Sequence, residues 1–175
     1  SEASTPTIPV DIYGWSKLFC ENISTLYRSE ELQILAVRLF NVYGPRETNP
    51  HIIPEIISQL KQSNSLILGN IDTHRDFIYV KDAARAFIEL SLVDTTGTDV
   101  VNLGSGNSIR MRELIEKISY LIDQKIQVNV DPSRYRKADK EVQVANTEKL
   151  LSIIPEFKFT SFEHGLLDLV KSELF

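Results

Sequence analysis

The pair most able to do chemistry is Tyr13 and Lys17, in the stretch Tyr13-Gly14-Trp15-Ser16-Lys17. Residues four apart share one face of a helix, so both side chains can address a common site. A phenol beside an ammonium has its pKa lowered, because the positive charge favours the phenolate. Such a tyrosine can exchange a proton with a substrate hydroxyl or carbonyl near neutral pH. An ordinary Tyr and Lys on a solvated face fit the same spacing, so context must decide. Gly104-Ser105-Gly106 offers a second motif, because glycines between a strand and a helix can cradle a pyrophosphate. Ile109 stands where the third glycine belongs, so a tight turn is the expectation there. His51, His74 and His164 are scattered and form no ligand pattern, and no metal site is expected. Cys20, the only cysteine, reads as a small buried hydrophobe, and Trp15 as a packing residue.

The elements that must position these residues alternate between helix and strand. Asp11 to Tyr27 has apolar residues at three- and four-residue spacing (Trp15, Leu18, Phe19, Ile23, Leu26) and reads as a helix. Leu32 to Phe40 is nearly continuous in apolar residues and reads as a buried strand of a parallel sheet. Asn41 to Arg46 reads as a loop, and Ile52 to Leu60 as a helix with Pro54 in its first turn. Strands are expected at Leu66–Leu68, Phe77–Val80, Val100–Leu103 and Ile126–Val130. Helices are expected at Lys81–Leu92, Met111–Ile122, 146–153 and 161–174. The order is α/β throughout.

Composition narrows the classes further. The 175 residues are 42% hydrophobic and 25% charged, an ordinary globular mixture for about one domain. Nineteen basic against twenty-four acidic residues give a net charge of -5, so no nucleic-acid partner is expected. One cysteine allows no disulfide framework. No apolar run reaches the roughly 18 residues of a membrane span, and no signal peptide opens the chain. A soluble, cytoplasmic protein without a membrane partner is the expectation.

Four motifs follow one another in the chain. After the Tyr13/Lys17 pair come Arg38-Leu39-Phe40-Asn41-Val42-Tyr43-Gly44-Pro45, then Arg75-Asp76-Phe77-Ile78-Tyr79-Val80-Lys81-Asp82, then Val101-Asn102-Leu103-Gly104-Ser105-Gly106. This succession resembles the extended short-chain dehydrogenase/reductase family of NAD(P)-dependent nucleotide-sugar epimerases and dehydratases, and the likeness covers essentially the whole chain. That family opens with a Gly-rich turn for the dinucleotide, and supplies a Ser or Thr before the tyrosine. Neither is present here. The resemblance therefore implies the C-terminal part of a Rossmann-type enzyme: the end of the parallel sheet plus a small α/β substrate-binding domain. Residues 1–45 would be a remnant of the NAD(P)-binding domain and 46–175 mainly the substrate domain, with the chain crossing back near 76–103.

The resemblance also implies roles. Tyr13 would transfer the proton at the sugar C4 hydroxyl, and Lys17 would support it and contact the cofactor ribose, so both bind NAD or NADP. Phe40 would touch the nicotinamide end through its backbone. Asn41, Arg75 and Arg136 would bind the nucleotide-diphosphate sugar, the arginines as planar bidentate donors to the diphosphate. Arg38 reads as a strand anchor and Asp82 as a helix-start residue. Leu68-Gly69-Asn70-Ile71-Asp72 with Arg75-Asp76, and Val130-Asp131-Pro132 through Arg136-Lys137-Ala138-Asp139, are similar to the GDP-mannose 4,6-dehydratase branch. Lys137 stands in place of that branch's proline. A 4,6-dehydratase-like activity is the first expectation, with C4-epimerase and 4-keto-reductase as alternatives. A noncatalytic sugar-nucleotide-binding or dimerisation module is the alternative from another class. A homodimer through the first helix is also implied.

Overall fold

The computed structural model describes residues 7–29, 31–95, 100–135 and 140–175. The first helix, α1 (Ile12–Thr25), starts where Asp11 caps it, its carboxylate accepting the Gly14 N–H at 2.7 Å. The apolar run that follows does not form one strand. It gives β1 (Ala36–Leu39), and after Phe40 the chain continues as β2 (Asn41–Tyr43), so Asn41 to Tyr43 is strand rather than the expected loop. Two pairings explain the split. β1 runs parallel to β5 (Val100–Leu103), while β2 runs parallel to β4 (His74–Tyr79). Phe40 sits at the step, its N–H donating to the Leu103 carbonyl at 2.9 Å.

Helix α2 (Ile52–Leu60) carries Pro54 in its first turn, where a missing N–H costs nothing. β3 (Ser65–Leu68) pairs parallel with β7 (Gln127–Val130). β4 begins three residues earlier than the sequence suggests, because its first half gains partners on β6 (Ser108–Arg110) and β8 (Val142–Gln143). Those two short strands lie in stretches too polar to signal a strand. α3 (Val80–Leu92) leaves β4 directly, and α4 (Met111–Leu121), α5 (Glu148–Ile153) and α6 (Phe162–Leu174) complete the helices.

Two cores hold these elements. In the first, Ile53, Ile56, Leu66, Leu114, Ile118 and Leu166 bring α2, α4 and α6 onto β3 and β4. The i, i+3, i+4, i+7 apolar set of α4 (Met111, Leu114, Ile115, Ile118) is wholly buried there. In the second, Ile78, Ala86, Leu90, Val101, Leu103 and Leu150 join α3 and α5 to β5. Each fully buried aliphatic side chain contributes roughly 1.5–3 kcal/mol of transfer free energy. α1 belongs to neither core, and none of its residues is buried.

Candidate functional site

The start of β2, the C-terminal end of β3, the first turn of α2 and the middle of β4 enclose a cleft of about 490 Å³. Asn41 and Arg75, both singled out by the sequence, line it together. The Asn41 amide donates to the Asp76 carbonyl at 3.0 Å, which ties the start of β2 to β4 and fixes the side chain at the cleft wall. Arg75 donates through Nη1 to the carbonyls of His74 (2.7 Å) and Lys140 (2.8 Å). Its guanidinium therefore braces the segment after β7 while bordering the cleft. Arg136 lies outside the described residues.

Sequence reasoning assigned no role to four charged or titratable groups on the same wall. His51 and Glu47 form a pair, Nδ1 to Oε1 at 2.7 Å. Arg134, at the end of a single 3-10 turn (Pro132–Arg134), reaches Glu55 of α2 at 3.2 Å. The signal for Arg134 was present, since Ser133-Arg134-Tyr135-Arg136 holds two arginines, but the family likeness drew attention to the second. A larger hollow of about 600 Å³ beside α4 and β7 contains none of the sequence candidates.

Behind the cleft, Asp76 is fully buried on β4 and organises the turn that follows β5. Its carboxylate accepts from the Ser105 N–H (2.8 Å), the Ser105 hydroxyl (2.7 Å), the Gly106 N–H (3.0 Å) and the Ala145 N–H (3.0 Å). The Gly-Ser-Gly turn thus wraps an internal carboxylate. A Cβ on Gly104 would stand 2.7 Å from Asp76 Oδ2 and 2.6 Å from the Ala145 Cβ, so only glycine fits that approach. Asp82 does more than begin a helix: it accepts from the Thr160 N–H (2.6 Å) and hydroxyl (2.9 Å), and from Arg85 (2.9 Å). At the C-terminal end of β4, the Tyr79 hydroxyl donates to Asp168, which also pairs with Lys81 at 3.3 Å. The Tyr79 bond and then Lys81 hold the Asp168 carboxyl below its usual range, whereas burial and then Asp168 push the Tyr79 phenol up. Burial likewise pushes up the phenol of Tyr43.

Tyr13 and Lys17 lie one turn apart on α1, with the Lys17 ammonium 5.2 Å from the centre of the Tyr13 ring. Tyr13 is 71% exposed, and neither residue borders the cleft. Two expectations for this helix are corrected: Cys20 is exposed rather than buried, and Trp15 is 58% exposed rather than packed. Both follow from α1 lying outside the cores. The helix is tied down by Arg38 of β1, which pairs in a fork with Glu21 at 2.9 and 2.8 Å. Arg38 thus ties α1 to β1. The Phe40 N–H is committed to Leu103, so a backbone contact from this residue to a ligand would use its carbonyl. Among the described residues, no group of three or more His, Cys, Asp or Glu is placed to hold a metal. No described helix is long and apolar enough to cross a membrane.

Parallel strand pairs flanked by helices, with a tyrosine and lysine one turn apart and a cleft beside the strand ends, define a Rossmann-type α/β protein. The chain belongs to the NAD dependent epimerase/dehydratase family, whose model matches residues 1–104. The GDP-6-deoxy-D-mannose reductase of Pseudomonas aeruginosa is 31% identical over 139 residues, covering 75% of this chain and 45% of that protein. The structure of RMD from the same organism, complexed with NADPH, superposes with a TM-score of 0.85 at 26% identity, over 98% of this chain and 58% of that one. The UDP-N-acetylglucosamine 4-epimerase of Methanobrevibacter ruminantium M1, in complex with UDP-N-acetylmuramic acid, superposes at 0.84 with 32% identity, over 98% and 56%. The chain spans about half the length of the curated relatives it matches. The family works with NAD or NADP, in agreement with the sequence reading.

Proposed function

We propose that this chain supplies the proton-transfer pair and the sugar-nucleotide cleft of an NAD(P)-dependent enzyme acting at C4 of a nucleoside-diphosphate sugar. The observation that carries this reading is the Tyr13–Lys17 arrangement on α1. An exposed hydroxyl and ammonium on one helix face fit a cofactor ribose and a sugar C4 oxygen alike. The nicotinamide, when bound, supplies the hydride that C4 gains or takes the one it loses. Tyr13 donates its proton to the C4 oxygen as the carbonyl becomes an alcohol, or accepts it in the reverse sense. Lys17 stands beside the ring that carries the negative charge once that proton has left. Asn41, Arg75 and Arg136 bind the sugar nucleotide. The β1–β5 side, with α3 and α5, would face the cofactor, and the cleft side would hold the sugar nucleotide.

Among reactions at C4, reduction of a 4-keto sugar takes precedence over the 4,6-dehydration favoured by the local wording of the sequence. Its support is the relatives' own names: a GDP-6-deoxy-D-mannose reductase and a GDP-6-deoxy-D-talose 4-dehydrogenase, the latter matching 99% of this chain at 27% identity. A GDP-sugar is the first substrate class to assay. The exposed apolar face of α1 (Ile12, Trp15, Phe19) supports a homodimer formed through that helix. The test is Tyr13→Phe in the active enzyme. Turnover should fall at least about 100-fold, the usual share of a positioned acid, with sugar-nucleotide binding nearly unchanged. Turnover at the wild-type rate would sink the assignment. Binding of a nucleoside-diphosphate sugar with no turnover in the wild type would favour the noncatalytic module.

A further inference from the structure

We infer that Arg134 is an anion-binding side chain of the cleft, held in waiting by Glu55, whose carboxylate stands where a phosphate oxygen of the sugar nucleotide would be received. The inference rests on the cleft reading above and adds a residue to it. Arg134 Nη1 lies 3.2 Å from Glu55 Oε1, and Nε lies 3.8 Å from Asp131 Oδ2. Both Arg134 and Glu55 border the cleft. Their side chains are 46% and 40% exposed, so the pair is solvated, contributes little by itself and exchanges readily.

The two halves of the pair are mounted differently. The backbone beneath Arg134 is fixed: the Asp131 N–H donates to the Leu68 carbonyl at 2.8 Å, and Asp131 accepts from the Ser133 N–H at 2.9 Å. The turn also lies so close to Gly69 that a Cβ there would be 2.9 Å from the Arg134 carbonyl oxygen. Only the guanidinium is left to swing. Glu55, in contrast, is held by Gln59, whose amide donates to Glu55 Oε1 at 2.7 Å. Gln59 is itself clamped to β3, donating to the Ile67 carbonyl (3.2 Å) and accepting from the Ile67 N–H (2.7 Å).

When Arg134 leaves, Glu55 therefore keeps one hydrogen bond and its water, and no bare carboxylate results. A guanidinium presents a planar fork that suits phosphate oxygens as well as carboxylates. Glu55 thus competes with the ligand for Arg134 and repels a phosphate that approaches. Its removal should tighten binding, whereas removal of a purely structural brace should weaken it.

The test is titration calorimetry with GDP and with UDP on the wild type and on Arg134→Met, Arg134→Lys, Glu55→Gln and Arg75→Met. Arg134→Met should weaken binding of the diphosphate tenfold or more, with Arg134→Lys between it and the wild type. Glu55→Gln should strengthen binding severalfold and lose most of that gain in the Arg134→Met background. Arg134→Met binding as the wild type does, while Arg75→Met fails, would overturn the inference and leave the cleft reading intact. Glu55→Gln weakening binding would overturn it as well. A wild type that binds neither GDP nor UDP would overturn the cleft reading together with the inference.

Discussion

The cleft and the helix α1 carry the two halves of the proposed chemistry, and they are built in opposite ways. The cleft wall is assembled from residues far apart in sequence and cross-braced through buried groups: Asn41 to Asp76, Asp76 to Ser105, Gly106 and Ala145, Arg75 to Lys140. α1 has no buried residue, and its side-chain ties include the Arg38–Glu21 fork. The cleft half of the proposed site is therefore braced by bonds among the described residues. The proton-transfer pair sits on a helix that the two cores do not pack. Catalytic groups must be held within about 0.5 Å of their working geometry, so the role proposed for Tyr13 requires a surface that packs α1. The comparison predicts where substitutions will be felt.

The largest effect is expected at Asp76. Asp76→Ala leaves the N–H groups of Ser105, Gly106 and Ala145 without their acceptor around a fully buried site. That loss should cost on the order of 3–5 kcal/mol, read as a fall in the urea midpoint. A loss below about 1 kcal/mol would show that the turn reorganises around water and that the cleft side is less rigid than its bonding implies.

Gly165→Ala comes next. Alanine normally improves a helix by about 1 kcal/mol over glycine. Here a Cβ would stand 2.2 Å from the Tyr43 hydroxyl and 3.0 Å from Cδ2 of Tyr79, both in the packed first core. The clash should win, destabilising by about 1–3 kcal/mol. A stabilised variant would mean that α6 can slide off β2 and β4. At the other pole, Arg38→Met should move the global midpoint by no more than about 1 kcal/mol, since its half-buried fork to Glu21 ties α1, which neither core packs. It should instead speed amide exchange across α1 while leaving α4 protected, because local opening follows the weakest ties. Equal acceleration in both helices would erase the distinction between the two regions.

How much of this was legible beforehand follows from the same physics. The helices announced themselves because α4 and α6 repeat apolar residues at helical spacing, and the family order of motifs led to Tyr13, Asn41 and Arg75. β6 and β8 were invisible, since three and two residues of mixed polarity carry no period, and only their pairing with β4 makes them strands. Cys20 and Trp15 were misjudged for a related reason: an apolar helix stripe predicts a covering surface, and the described residues bury no residue of α1. Glu47–His51 and Glu55–Arg134 join residues whose relation is set by how α2 and the 3-10 turn meet the cleft. No spacing in the sequence reports that meeting.

The smallest predicted effect concerns how the cleft loop is held from behind. Glu173, near the end of α6, accepts the Arg46 N–H at 2.9 Å and pairs with Lys61 at 2.9 Å. Arg46 has φ of 65°, a left-handed conformation unusual for a residue with a side chain, directly before the cleft residue Glu47. The Arg46 N–H and then Lys61 hold the Glu173 carboxyl below its ordinary 4.5. A carboxyl lowered in the folded state adds stability above its unfolded pKa, and that contribution is lost as pH falls through the lowered folded value. Glu173→Gln should therefore cost a few tenths to about 1 kcal/mol at pH 7. The gap to the wild type should close as pH is taken below 4.5 and past the lowered value. Urea midpoints measured from pH 7 to pH 3 decide it: a gap that stays constant would mean that Glu173 acts by packing alone, and that the left-handed turn at Arg46 stands without the charge behind it.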